Sequence, residues 1–181
     1  MLPGAARAVA QLNAVGLRTV LVSNQRWLSG PTGDPACFAA IHARLERLLA
    51  VEGAWLDVSY YCPHAIGSCE CRKPGSGMLR RAAREYGFNL AQTVIVGDTQ
   101  ADLEAGRSVG AATILLRADN VNSTGGASAS VLADAVADDL PAAVRIILQT
   151  LDQAGLRHAK VGPAVMPVIS AGLVRQPHLA G

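Results

Sequence analysis

A chain of 181 residues, half of them apolar, can bury one core without disulfides or a partner, so a single compact domain and a monomer are expected. A net charge of +2 with only 17% charged residues leaves no basic stripe for nucleic acid. Gly, Pro or charge also interrupts each apolar run well short of the roughly 20 residues of a membrane span.

Met1-Leu2-Pro3-Gly4 leads straight into a helical pattern without the basic and then apolar layout of a secretory signal, so a cytoplasmic location is expected. Ala5, Ala6, Val9, Leu12 and Val15 recur at helical spacing, and Gly16 sits where a helix would end. Leu17 to Val22 predicts a strand that stops at Ser23-Asn24-Gln25, and Leu28 to Gly33 reads as loop. Asp34-Pro35 starts the next helix, with Phe38, Ile41, Leu45, Leu48 and Leu49 as its buried face. Val58 to Tyr61 predicts a second strand, opening into a Cys/His cluster. Met78, Leu79, Ala82, Ala83 and Tyr86 mark a helix that Gly87 can terminate. Thr93 to Val96 is a buried strand, Asp102 to Val109 a helix, and Ala112 to Leu116 a further strand. Asn122 to Ser130 reads as a flexible loop, and Pro141 to Leu151 as a last helix with Val144, Ile147, Leu148 and Leu151 inward. From about Leu156 the chain is apolar, carries three prolines and shows no period, which predicts an irregular tail over 156–181 beyond a domain at 1–155.

This alternation favours an α/β fold, a doubly wound parallel sheet whose ligands bind at the strand C-termini. Three of the four Cys, namely Cys62, Cys69 and Cys71, stand with His64 within ten residues. In a reduced compartment such a set suits tetrahedral Zn²⁺, and four protein ligands make a closed, structural site. Cys37 stands apart. Arg72-Lys73-Pro74 follows directly, so an ordered metal loop would aim a planar guanidinium and a compact ammonium at one point. Ser23 ends a strand, where hydroxyl and backbone N–H groups can bind an anion. Gly97-Asp98 with Asp102 four residues on offers hard oxygen donors for Mg²⁺, although both carboxylates also suit helix capping.

Taken in order, Val20-Leu21-Val22-Ser23-Asn24-Gln25, Arg72-Lys73-Pro74 and Val96-Gly97-Asp98-x3-Asp102 resemble the second, third and fourth motifs of the haloacid dehalogenase superfamily. Cys62-Pro-His64 followed by Cys69-x-Cys71-Arg72-Lys73-Pro74 is similar to its zinc-containing phosphatases, those of heptose 1,7-bisphosphate and of histidinol phosphate. The resemblance implies a Mg²⁺-dependent phosphatase of a small phosphorylated sugar. In it Ser23, Lys73 and Asp98 are catalytic, and Asn24, Gln25 and Arg72 contact substrate with Ser23 and Lys73. Asp98 ligates Mg²⁺, while Asp102 supports the metal or Lys73.

The family's nucleophile motif, Asp-x-Asp-Gly-Thr on the first strand, is absent, and no Asp-x-Asp occurs in the sequence. The expectation is therefore an N-terminally incomplete chain whose sheet lacks its central strand. A histidinol-phosphate phosphatase and an inactive zinc-stabilised phosphate-binding domain stand as alternatives.

Overall fold

The segments of helical and strand period fold into layers, which the computed structural model describes over residues 1–29, 33–117, 130–154 and 166–170, the last as backbone alone. The helices are α1 (Ala5–Ala14), α2 (Pro35–Ala50), α3 (Gly77–Tyr86), α4 (Gln100–Arg107) and α5 (Leu140–Gln153). The strands are β1 (Val20–Asn24), β2 (Val58–Cys62), β3 (Thr93–Gly97), β4 (Ala112–Leu116), β5 (Ala135–Ala137) and β6 (Met166–Ser170). They form one sheet in the order β2-β1-β6-β3-β4-β5, parallel at each pairing. The doubly wound α/β expectation therefore holds.

Burial on both faces explains why the strands read as continuous apolar runs. On one face α1, α2 and α5 pack Val9, Leu12, Leu45, Leu49, Val144 and Ile147 against Leu21, Val96, Ile114 and Leu116 of the sheet. On the other, Met78, Leu79 and Ala82 of α3 and Ala105 of α4 pack against Val20, Val22 and Ile95. The side chains of Asp34 and Asp139 cap α2 and α5, and a proline follows each cap in the first turn. The buried stripe of α2 is narrower than its period suggests: Leu45 and Leu49 are buried, but Ile41 and Leu48 are exposed. That helix flanks β1 and β2 at the sheet's edge, where less surface is available to cover it.

Other boundaries move. β1 begins at Val20 and runs through Ser23 and Asn24, so both belong to the strand rather than following it. Arg26–Ser29 forms a 3-10 turn, and α4 starts at Gln100 rather than Asp102. β5 is too short for a period to show in the sequence. The loop expected at Asn122–Ser130 lies outside the described residues except for Ser130.

The largest difference is β6. Residues 156–181 are expected to be irregular and the sheet to lack its central strand, yet Met166–Ser170 form the interior strand between β1 and β3. Val168 aligns with Val20 on one side and with Ile95 on the other. Pro167 would normally argue against an interior strand, because it cannot donate to a ladder. It is accommodated at the strand's start, where it pairs with Val94 of β3 before the pairing with β1 begins at Val168. Among the described residues no helix is long and apolar enough to cross a membrane.

Candidate active site

The parallel sheet delivers the C-terminal ends of β1, β2 and β3 to one edge, and the candidate residues lie on or just after these ends, in the loop between β2 and α3, or in the first turn of α4. β1 brings Ser23 and Asn24, β2 ends in Cys62, and β3 ends in Gly97 followed by Asp98. Ser23 is level with Tyr61, and Asn24 with Cys62, so the phosphate-type and Cys/His segments start from adjacent positions.

Cys62, His64, Cys69 and Cys71 place one ligand atom each within 4.8 Å of the others, a set that could hold a metal ion. The Cys71 thiol lies 3.1 Å from the Cys69 sulfur and 3.3 Å from the Cys62 sulfur, and His64 Nδ1 is 3.2 Å from Cys71. Packing the thiols this closely splits their acidities. The hydrogen bond from Cys71 pulls Cys69 down to about 6, while desolvation and the same neighbours push Cys71 up to about 12. Such thiols cannot all ionise without a cation among them. Cys37 is exposed and outside this cluster.

The loop after Cys71 turns back tightly. Gly75 N–H donates to the Arg72 carbonyl at 2.7 Å, and a Cβ on Gly75 would meet the Glu70 carbonyl oxygen at 2.3 Å. The Arg72 guanidinium donates to the His64 carbonyl at 3.2 Å, tying this arginine to the Cys/His loop. Asn24 grips the next residue from both sides: its amide donates to the Lys73 carbonyl at 3.0 Å, and its oxygen accepts from Lys73 N–H at 3.1 Å.

Lys73 is buried, and its ammonium lies 2.7 Å from Asp102 Oδ1 and donates to the Val22 carbonyl at 3.0 Å. The other oxygen of Asp102 accepts from the Thr99 N–H at 3.0 Å and the Thr99 hydroxyl at 2.7 Å, which also caps α4. Both carboxylate oxygens of Asp102 are thus engaged within the protein. Gly97 makes room for this: a Cβ there would stand 2.3 Å from Asp102 Cβ. Replacing Asp102 with Ala should strand a buried ammonium, at a cost of about 3–5 kcal/mol in unfolding free energy. Chemical denaturation measures it, and the double change Lys73→Met with Asp102→Leu should recover most of the loss. A single variant as stable as wild type would show the pair to be energetically idle.

Asp98 is half-buried, and its carboxyl is raised above the ordinary Asp range, first by desolvation and next by the charge of Asp102, with Lys73 opposing. A carboxylate destabilised in this way gains from a cation beside it. Gln25, expected as a substrate contact, has its amide engaged: Nε2 donates to Ser23 Oγ at 2.7 Å, and Oε1 accepts from the Trp27 indole at 2.8 Å. Trp27 was not foreseen, and its spacing from Gln25 carries no sequence signal. Beyond it stands an aromatic group in which Phe38 meets Trp27 at 6.1 Å and Tyr61 edge-on at 4.7 Å between ring centroids.

Comparison with known proteins extends these observations. The model of the HAD-hydrolase-like family matches residues 70–143. The D-glycero-beta-D-manno-heptose-1,7-bisphosphate 7-phosphatase of Bordetella bronchiseptica is 36% identical over 149 residues, covering 82% of this chain and 83% of its own length. The enzyme of the same name from Pseudomonas aeruginosa is 37% identical over 117 residues, 64% of this chain and 66% of the relative. The crystal structure of D,D-heptose 1,7-bisphosphate phosphatase from B. bronchiseptica, complexed with magnesium and phosphate, superposes with a TM-score of 0.73 at 35% identity. It covers 82% of this chain and 84% of that one.

Proposed function

Because the chain belongs to the heptose-bisphosphate phosphatase family of HAD-like hydrolases, we propose that its site is that of a Mg²⁺-dependent phosphatase acting on D-glycero-D-manno-heptose 1,7-bisphosphate. The observation that carries this reading is the buried Lys73–Asp102 pair, held between the end of β1, which bears Ser23, and the start of α4, which follows β3 and Asp98. The Lys73 ammonium, fixed in place by the Asp102 carboxylate and the Val22 carbonyl among its contacts, would present positive charge to a phosphate oxygen. Ser23 would donate its hydroxyl to the same phosphate, and Arg72 would approach the substrate from the Cys/His loop. Asn24 and Asp102 hold Lys73 in place, the first by its backbone and the second by its ammonium.

Two metals fit the donors present. Cys62, His64, Cys69 and Cys71 would hold Zn²⁺ as a closed structural site. Asp98 would ligate Mg²⁺, and that ion when bound would supply positive charge to offset the phosphate. The protein's own part would be to bring Ser23, Lys73 and a cation-holding Asp98 toward the C-terminal edge of the sheet, so that a hydroxyl donor and positive charge meet the phosphate together. Phosphate release from heptose 1,7-bisphosphate and from histidinol phosphate, measured in parallel with Mg²⁺, tests the substrate. Preference for histidinol phosphate would overturn the sugar assignment.

Asp98→Asn should separate stability from binding. A carboxyl whose folded pKa is raised disfavours the folded state once pH exceeds its unfolded pKa, so removing it should raise the melting temperature at neutral pH in chelator. The gain should vanish below the ordinary Asp pKa, where both folded and unfolded carboxyls are protonated. Mg²⁺ affinity, read by titration calorimetry, should fall at least tenfold in the same variant. Unchanged affinity would reduce Asp98 to a structural residue.

A further inference from the structure

We propose that Trp27 and Gln25 form a donor relay that fixes the polarity of the Ser23 hydroxyl, making Ser23 a hydrogen-bond donor to an unprotonated phosphate oxygen and the relay a pair of positioning residues. The proposal rests on the reading of Ser23 as a phosphate contact. It adds what sets the direction of that contact.

The Trp27 indole is the one group in the relay with no choice of role. An indole N–H can only donate, so the atom 2.8 Å from Trp27 Nε1 must be the oxygen of the Gln25 amide. The nitrogen of that amide then faces Ser23, and at 2.7 Å its N–H donates to Ser23 Oγ. Ser23 accepts on that side, so its own proton is turned away from Gln25. Ser23 is buried at 2% exposure near the end of β1, next to Val22, whose carbonyl accepts from the Lys73 ammonium. In a buried site a hydroxyl with a directed proton selects an acceptor, and a phosphate dianion is all acceptor. With the amide reversed, Gln25 oxygen would take the Ser23 proton and Ser23 would turn lone pairs toward the anion. Trp27 prevents that reversal, and its ring is held in turn against Phe38.

The relay differs from a packing role in what it predicts. Trp27→Phe keeps an aromatic ring against Phe38 but removes the N–H, freeing the amide to turn over. Inorganic phosphate binding to the full chain, titrated calorimetrically with Mg²⁺ present, should weaken about three- to tenfold, the scale of one net hydrogen bond. Gln25→Glu should weaken it more, because a carboxylate can only accept from Ser23 and repels the ligand. The pH profile supplies the readout that packing would not move. Wild-type affinity should rise through the second ionisation of phosphate, since the dianion brings only acceptors. In Trp27→Phe that rise should flatten, because a Ser23 that accepts favours the protonated monoanion.

In a Ser23→Ala background, Trp27→Phe should add no further loss. Loss of affinity in Ser23→Ala with wild-type behaviour in both relay variants would overturn the relay while leaving the phosphate site intact. Unchanged affinity in Ser23→Ala would instead remove the phosphate contact on which the relay depends. A Trp27→Phe variant that loses affinity while keeping the wild-type pH profile would show packing alone, and would also overturn the proposal.

Discussion

Assayed with Mg²⁺ and heptose 1,7-bisphosphate beside a family enzyme carrying the Asp-x-Asp-Gly-Thr strand, the 181-residue chain should release phosphate several powers of ten more slowly while still binding inorganic phosphate. The family's reaction begins with a carboxylate attacking phosphorus, and that carboxylate must lie in line with the leaving oxygen. No Asp-x-Asp occurs in the sequence. The strand lying between β1, which bears Ser23, and β3, which leads to Asp98, is β6, and its five residues Met-Pro-Val-Ile-Ser include no carboxylate. Asp98 would be committed to a metal ion, and Asp102 has both oxygens engaged by Lys73 and Thr99. Ser23 and Lys73, together with a metal ion held by Asp98, would therefore hold a phosphate and balance its charge without opening a covalent path. Loss of a catalytic nucleophile is on the order of 10⁶-fold in turnover where it has been dissected, which sets the expected scale. Calorimetry with phosphate and a continuous phosphate-release assay separate binding from turnover. Comparable rates from the two proteins would sink the claim and place the nucleophile among the residues already present.

Stripping metal from the Cys/His loop should produce the second large effect. For small structural Zn²⁺ sites the binding free energy is roughly 10–16 kcal/mol and is coupled to the order of the ligand loop. Here that loop carries few apolar anchors of its own: Ala65 to Ser68 are exposed, and Cys69 and Cys71 are only half-buried. Once the sulfurs of Cys62, Cys69 and Cys71 are released, their mutual crowding favours dispersal, and Arg72 loses the His64 carbonyl that positions it. Lys73 should suffer less, because Asn24, Val22 and Asp102 hold it independently of the loop. Treatment with a strong chelator under reducing conditions should therefore lower the melting temperature and weaken sugar-bisphosphate binding more than inorganic phosphate binding. Cys69→Ser should reproduce both changes and fail to recover on adding Zn²⁺. Elemental analysis of protein purified without chelator checks the premise, and finding no zinc in it would remove the site.

How far the sequence reached is clearest at particular residues. The Cys62, His64, Cys69 and Cys71 cluster was legible because metal ligands declare themselves by chemistry and spacing within one short loop, and the structure brings the four together. The doubly wound sheet was legible because strand and helix periods alternate, whereas Ser23, Lys73 and Asp98 stood out as candidates only through the order of the motifs they belong to. The division of labour among the polar residues was not. Asn24, Gln25 and Asp102 have the right chemistry to touch a ligand or metal. Only the folded arrangement shows Asn24 clamped on the Lys73 backbone, Gln25 between Ser23 and Trp27, and Asp102 between Lys73 and Thr99. Asn24 and Lys73 lie 49 residues apart in the chain, and no local pattern encodes such a pairing.

β6 is the extreme case. Pro167 and the lack of period argue against a strand when Met166–Ser170 are read alone, and that local propensity is overridden by the slot between β1 and β3. Two strands each presenting an unpaired ladder form a template whose backbone groups must be satisfied, and a segment of weak preference takes the strand conformation that satisfies them. Sequence by itself determined which residues could do chemistry and in what kind of fold. Tertiary structure decided which of them face one another and which segment fills the centre of the sheet.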